Sequence, residues 1–332
     1  MTDANGERIG RRDLLTRAGK AGAAISVCGL ASYFLYDPVG PGAGVQTDQL
    51  VALPDFSVPP RAGQTISIVQ GADRLQTVDR AIELLGGIER FVKPGEVVAI
   101  KPNVAFASPP MLGATAHPDL VAEVVRLCYS RGKAKKVIVT DNPINDPSSC
   151  FMLSGIGRAA AEAGAEVVLP KAHLFKHTTL AGGKLITNWP VFFGPFEKAD
   201  KLIGISPVKH HHRAGASMSM KNWYGLLGGR RNIFHQDINT IIAELSMMVK
   251  PTLVILDATV VMMTNGPTGG SVSDLRRADT LVASTDCVAA DSYGCTLLGL
   301  TVSDLPYLAQ AEKAGAGTTN YQSLKPTRAT IS

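Results

Sequence analysis

The chain has 332 residues, 45% of them hydrophobic and 18% charged, with a formal net charge of +5. That apolar content excludes a disordered polymer, and the length suits one large domain or two small ones. The positive balance is modest and partly N-terminal, so it gives no ground for expecting nucleic acid as a partner.

The first element is a targeting signature. Gly10-Arg11-Arg12-Asp13-Leu14-Leu15 precedes a stretch from Ala21 to Tyr36 that carries no charge. Paired arginines ahead of an apolar run read as a twin-arginine signal over residues 1–36. The reading implies the twin-arginine export machinery as a partner. It places the mature chain in the periplasm or on the outer face of the cytoplasmic membrane. The uncharged run is shorter than the ~20 residues of a membrane span. Both a cleaved signal, with Gly29 and Ala31 as small residues, and a retained membrane-associated anchor stay open. Cys28 follows Val27, a poor residue ahead of a lipidated cysteine. Residues 37–62 are rich in Pro and Gly and read as a linker or surface arm. Residues 63–332 read as a single domain.

Short apolar runs bounded by turn residues predict strands at Thr65–Gln70, Val97–Ile100, Lys136–Thr140, Ala165–Leu169, Lys201–Ile205, Leu253–Leu256 and Thr280–Ala283. Helical spacing predicts helices at Val78–Phe91, His117–Ser130, Met152–Ala163, Ile238–Val249, Cys287–Leu300 and Leu305–Ala314. Leu174–Phe193, divided by Gly182-Gly183, predicts a small β-hairpin insertion. The alternation gives an α/β fold: a largely parallel sheet flanked by helices. The five cysteines, Cys28, Cys128, Cys150, Cys287 and Cys295, form no C-x-x-C pair, so no iron–sulfur cluster is expected. Cys128, Cys287 and Cys295 read as buried thiols, and Cys150 as a loop residue.

In parallel sheets ligands bind beyond the carboxyl ends of the strands. There the sequence places Lys101-Pro102-Asn103, Asp141-Asn142, Lys209 with His210-His211-His212-Arg213, Asp257 and Asp286. Thr115 and His117 open a helix. Lys221-Asn222 precedes Arg230, Arg231 and His235. Gly266, Gly269 and Gly270 form a glycine-rich loop. Two chemistries suit this set. The lysines Lys101, Lys209 and Lys221, with Arg213 and Arg230, would hold a carboxylate or phosphate, and a lysine of lowered pKa, or His117, would serve catalysis. Asn103, Thr115, Asn222, Gly266, Gly269 and Gly270 would bind the ligand. Alternatively His210 and His212, sharing a face of an extended segment, would join His235 and Asp286 around a divalent metal such as zinc or iron. No dinucleotide, P-loop or nucleophile-elbow motif occurs.

Lys101-Pro102-Asn103, Thr115 with His117-Pro118, Lys209 with its histidines, Lys221-Asn222 with Gly225, His235, Gly266-Pro267 with Gly269-Gly270, and Asp286 with Asp291 occur in one order. In that order they resemble the family of domains of unknown function numbered 362, from about residue 97 to about residue 299. The resemblance implies an exported domain without a fixed activity. Some members of that family carry ferredoxin-like cysteine motifs, which this sequence lacks. Two function classes follow as expectations. One is an enzyme, metal-dependent or redox-associated, acting on a small anionic ligand. The other is an accessory or cofactor-binding subunit of an exported redox complex.

Overall fold

The computed structural model describes residues 50–331 and, before them, residues 12, 15, 16, 19, 20 and 22, which are helical. The remaining residues of the proposed signal, Arg11, Cys28 and Ala31 among them, lie outside the described residues. The chain divides into two units, Met1–Gln46 and Thr47–Ser332, and the second holds everything below. Among the described residues no helix is long and apolar enough to cross a membrane.

The elements run β1 (Ile66–Gln70), α1 (Arg74–Leu84), α2 (Ile88–Phe91), β2 (Val97–Pro102), α3 (Pro118–Ser130), β3 (Lys136–Thr140), α4 (Pro147–Leu153), α5 (Ile156–Glu162), β4 (Glu166–Val168), β5 (Phe175–Thr178) and β6 (Trp189–Phe192). They continue as β7 (Lys201–His211), β8 (Gly215–Ser217), α6 (Ser219–Asn222), α7 (Ile238–Met248), β9 (Leu253–Met262), β10 (Leu275–Ser284), α8 (Cys287–Leu298), α9 (Pro306–Lys313) and β11 (Thr327–Thr330). Nine strands form one sheet in the order β11-β1-β10-β9-β7-β2-β3-β4, with β8 paired to β7. The run β9-β7-β2-β3-β4 is parallel throughout. β10 is antiparallel to both of its neighbours. β5 and β6 pair antiparallel as a separate hairpin, where the two glycines had placed it.

Period-2 alternation explains the layering. Along β7, Leu202 and Val208 enter one apolar cluster while Ile203 and Ile205 enter the other; β9 divides Val254 and Leu256 from Leu253 and Ile255 in the same way. Helices α1, α3 and α5 cover one face through Val78, Val121 and Ile156, whereas α7, α8 and α9 cover the other through Ile241, Val288 and Leu308. Local chemistry sets the helix ends. Asp73 accepts the Leu75 and Gln76 amides at the start of α1, and Pro118 opens α3. Gly155, at φ +72°, splits the predicted helix over 152–163 into α4 and α5.

Two stretches differ from expectation. Residues 50–62, read as linker or surface arm, are docked: the Phe56 ring is buried, its amide donates to the Lys250 carbonyl at 3.0 Å, and the Thr252 hydroxyl donates to its carbonyl at 2.7 Å. Cys150, read in a polar loop, is buried in α4, and the Cys128, Cys287 and Cys295 thiols are buried and free as well.

Candidate functional site

The parallel strands deliver their carboxyl ends to one rim. β2 runs into Asn103, β3 into Asp141, and β7 continues past the predicted end at Ile205 to Lys209 and His211. The short helix α6 brings Lys221 and Asn222 to the same place. Together with Phe106, Ile144, His212, Tyr224, Arg231, His235 and Pro267 they enclose a cavity of about 210 Å³.

A continuous polar chain forms its floor. Lys101 is buried and lies 2.6 Å from Asp141 Oδ1, with its ammonium also donating to Asn222 Oδ1 at 2.9 Å. Burial pulls this ammonium down from its ordinary value, and Asp141 holds the proton on it. Asn222 Nδ2 donates to the Lys101 carbonyl at 3.1 Å, which fixes the amide with its oxygen toward Lys101 and toward Asn103 Nδ2. Asn103 therefore turns its own oxygen to Lys209 Nζ, at 3.2 Å; the Ala114 carbonyl accepts from the same nitrogen. Gly225 permits the chain to close, since a Cβ there would stand 2.3 Å from Asp141 Oδ1 and 2.8 Å from Lys101 Nζ.

Three basic side chains meet the cavity without a salt bridge of their own. Among the described residues Lys209, Lys221 and Arg231 have no carboxylate within 4.0 Å. Lys209 is pushed down to about 7 by burial and by the charge of Lys221, and Lys221 to about 8 by burial and Arg231. Arg231 spends its donors on the Pro143, Leu227 and Tyr224 carbonyls. Among the described residues no carboxylate touches it, and Asp141 acts on its charge only from beyond salt-bridge distance.

Two of the histidines, His211 and His235, have their ring protons placed by their partners. His211 Nδ1 accepts the Arg213 and Ala214 amides at 3.1 and 3.2 Å, so its proton sits on Nε2. Burial, then the neighbouring Lys221, holds it far below its ordinary value, at about 2. Tyr224 donates its hydroxyl to the Arg231 carbonyl and so accepts from His235 Nδ1 at 3.1 Å, which leaves His235 Nε2 unprotonated. Burial and Lys221 keep His235 neutral as well. The cavity thus has one fixed imidazole donor and one imidazole acceptor.

These placements redraw the expected site. Lys209, Lys221, Asn103, Asn222, His212 and His235 share the cavity, while Lys101 lies beneath it, committed to Asp141. His210 points away from this set: its Nδ1 accepts the Gly266 amide at 3.1 Å. The reason is strand parity, because β7 runs through residue 211 and puts Lys209 and His211 on one side and His210 on the other. Asp286 lies at the opposite end of the sheet, because β10 runs antiparallel to β9 and pairs Ser284 with Val254, near the start of β9. There it caps α8 through the Ala289 amide. Thr115 and His117 line a separate cleft of about 180 Å³ with Arg74 and Asp257, which pair at 2.7 Å. Gly266 serves His210, Gly269 packs on Met262, and Pro267 is the residue of that loop on the cavity wall. Arg213 and Arg230 are exposed.

The donor set does not fit a metal ion. His211 and His212 stack with ring centroids 5.0 Å apart and planes within 10°, so their nitrogens do not converge, and His211 Nδ1 is already engaged. Among the described residues no group of three or more His, Cys, Asp or Glu side chains is placed to hold one. Tyr224, Arg231, Phe106 and Ile144 were not singled out as site residues, and only the Lys221-to-His235 segment carried a signal for the first two.

The sequence profile of the domain of unknown function DUF362 matches residues 98–296, which spans every cavity residue. The chain belongs to the DUF362 family. It is 28% identical over 258 residues to the thylakoid-associated protein sll1697 of Synechocystis, covering 74% of this chain and 76% of that protein. Among solved structures it is similar to the lactate racemase apoprotein of Thermoanaerobacterium thermosaccharolyticum, at TM-score 0.39 and 15% identity over 77% of this chain. It is also similar to a structural-genomics protein of Thermotoga maritima, at TM-score 0.38 and 12% identity over 68% of this chain. This DUF362 chain spans 60% and 58% of those two chains, and likenesses of this size carry no argument about activity.

Proposed function

We propose that this DUF362 protein is an enzyme that binds a small carboxylate-bearing molecule in the cationic cavity and acts on it by acid–base chemistry. The observation that carries the reading is the pair Lys209 and Lys221, two lysines facing one cavity with no carboxylate within 4.0 Å among the described residues, the nearby Asp141 being taken by Lys101. Desolvated cations without partners are costly, and an incoming anion compensates them. The cavity, at about 210 Å³, falls below the roughly 300–1,000 Å³ of sites for drug-sized ligands, so the ligand has few heavy atoms. Phe106 and Ile144 give it an apolar wall. His211 Nε2–H donates to an oxygen of the ligand and His235 Nε2 accepts a proton from it.

Calorimetric titration with pyruvate, L-lactate, malonate and inorganic phosphate tests this. At least one carboxylate binds, and Lys221→Gln weakens it by ~10- to 100-fold, the value of one charge-assisted hydrogen bond. Failure of all four to bind, or an unchanged affinity in Lys221→Gln, refutes the reading. Export by the twin-arginine route belongs to the same proposal. It rests on Arg11-Arg12 ahead of the uncharged stretch Ala21–Tyr36. Replacing both arginines by lysine is expected to retain the full chain in the cytoplasm of a bacterial host; unaltered export refutes it.

A further inference from the structure

Lys209 differs from the other two lysines in how its nitrogen is satisfied. Lys101 lies against a carboxylate, as a charged ammonium requires. Lys221 sits 4.9 Å from the Tyr224 ring, an arrangement suited to a cation. Lys209 Nζ has two acceptors, Asn103 Oδ1 and the Ala114 carbonyl, and both are neutral. The orientation of Asn103 is imposed by Asn222, so this acceptor pair is built into the floor. A neutral amine has two N–H donors and one lone pair. Both donors are used here, and the lone pair is what remains for a cavity ligand. The nitrogen also lies 5.2 Å from the Phe106 ring, a contact like that of Lys221, so the two neutral acceptors are what set Lys209 apart.

We propose that Lys209 is a nucleophile that forms an imine with a small 2-oxo acid, whose carboxylate is held by Lys221. The inference rests on the cavity reading above and names its substrate class. Nζ attacks the carbonyl carbon, and a C–N bond forms as the C=O π bond opens. The nitrogen gives up two protons in all and the carbonyl oxygen receives both, leaving as water; C=N replaces C=O, and nothing is oxidised or reduced. His211 Nε2–H holds that oxygen by a hydrogen bond and keeps its own proton, while His235 Nε2 takes each proton from the nitrogen in turn and returns it to the oxygen. A lysine beside a second cation in a desolvated pocket is a recognised way to keep the attacking amine neutral, and Lys209 is pushed down to about 7.

Borohydride trapping of the full chain with pyruvate or glyoxylate, followed by peptide mapping, is the test. One reduced adduct per chain on Lys209 is expected, and Lys209→Arg, which keeps the charge, lowers trapping at least ~10-fold. An adduct confined to Lys221 or to exposed lysines overturns the assignment. If L-lactate binds in calorimetry yet neither 2-oxo acid is trapped, the imine falls and the cavity reading stands. If no carboxylate binds at all, both fall together. Mapping the wild-type adduct needs no variant, so a folding defect in Lys209→Arg leaves the result decisive.

Discussion

Lys209 and Lys101 are both buried, and their surroundings sort them into different protonation states. The groups facing Lys209 are Lys221 on α6, Arg231 after it, Lys101 on β2, Asp141 after β3, and the rings of His211 and His235. In the unfolded chain the lysine returns to about 10.5, while the folded value is about 7. Between these the unfolded chain binds more protons, so stability rises with pH across that window; Lys221, at about 8, adds the same sign. The free protein is therefore expected to melt higher at about pH 9 than at about pH 6.5. Malonate should raise the melting temperature more at the lower pH, where both lysines are charged, and an equal shift at both values contradicts the cationic cavity. A second residue-scale expectation concerns Gly225. A methyl group there strikes the Lys101–Asp141 pair. Gly225→Ala should cost ~1–3 kcal/mol in denaturant unfolding and weaken ligand binding with it. The sequence made the Lys-Asn pairs visible because they follow apolar runs. It hid the decisive histidine because ring direction depends on where β7 ends. Counting in twos from Lys209 gives His211, but only once the strand is known to run that far.

At the scale of elements, direction decides which residues meet. The alternation of strands and helices suggested parallel neighbours and so placed Asp286 on the rim. The segment between β9 and β10 contains only a short turn of 3₁₀ helix at Val272–Asp274, and a parallel return needs a crossover of a dozen or more residues, usually a helix. The missing helix was the sign that β10 turns back. The same topology gives Asp291 on α8 a task that no motif revealed. Its buried carboxylate accepts the Ser219 amide at 2.8 Å, the Met220 amide at 3.0 Å and the Ser219 hydroxyl, which together anchor the turn bearing Lys221 and Asn222. Asp291→Ala leaves two buried amides without an acceptor. The expected cost is ~2–4 kcal/mol in stability. Ligand affinity falls with it, since Lys221 and Asn222 lose their anchor. Native stability or unaltered malonate binding in this variant would show that α6 holds its place by other means.

At the scale of the molecule, the two apolar layers were legible because continuous apolar runs in the strands demand cover on both faces and helices of period 3.6 supply it. The arm was not, because a Pro- and Gly-rich stretch has no periodicity to read. Its attachment depends on one aromatic ring and a few backbone bonds. Phe56 enters the same cluster as α7, α8 and α9, and its amide and carbonyl are met by Lys250 and Thr252 just ahead of β9. Further upstream, Val51 joins the hairpin through the His177 carbonyl at 2.9 Å and through the Thr178 hydroxyl. The arm thus clamps the start of a central strand and the inserted hairpin onto one core. None of these partners belongs to the cavity, so the clamp should govern stability and leave recognition intact. Phe56→Ala is expected to cost ~3–5 kcal/mol, the usual consequence of emptying a buried aromatic site, with the denaturant midpoint lowered accordingly. The folded fraction should bind malonate with wild-type affinity. A large loss of affinity at full folding would mean instead that the arm shapes the cavity through the β9–β7 pair.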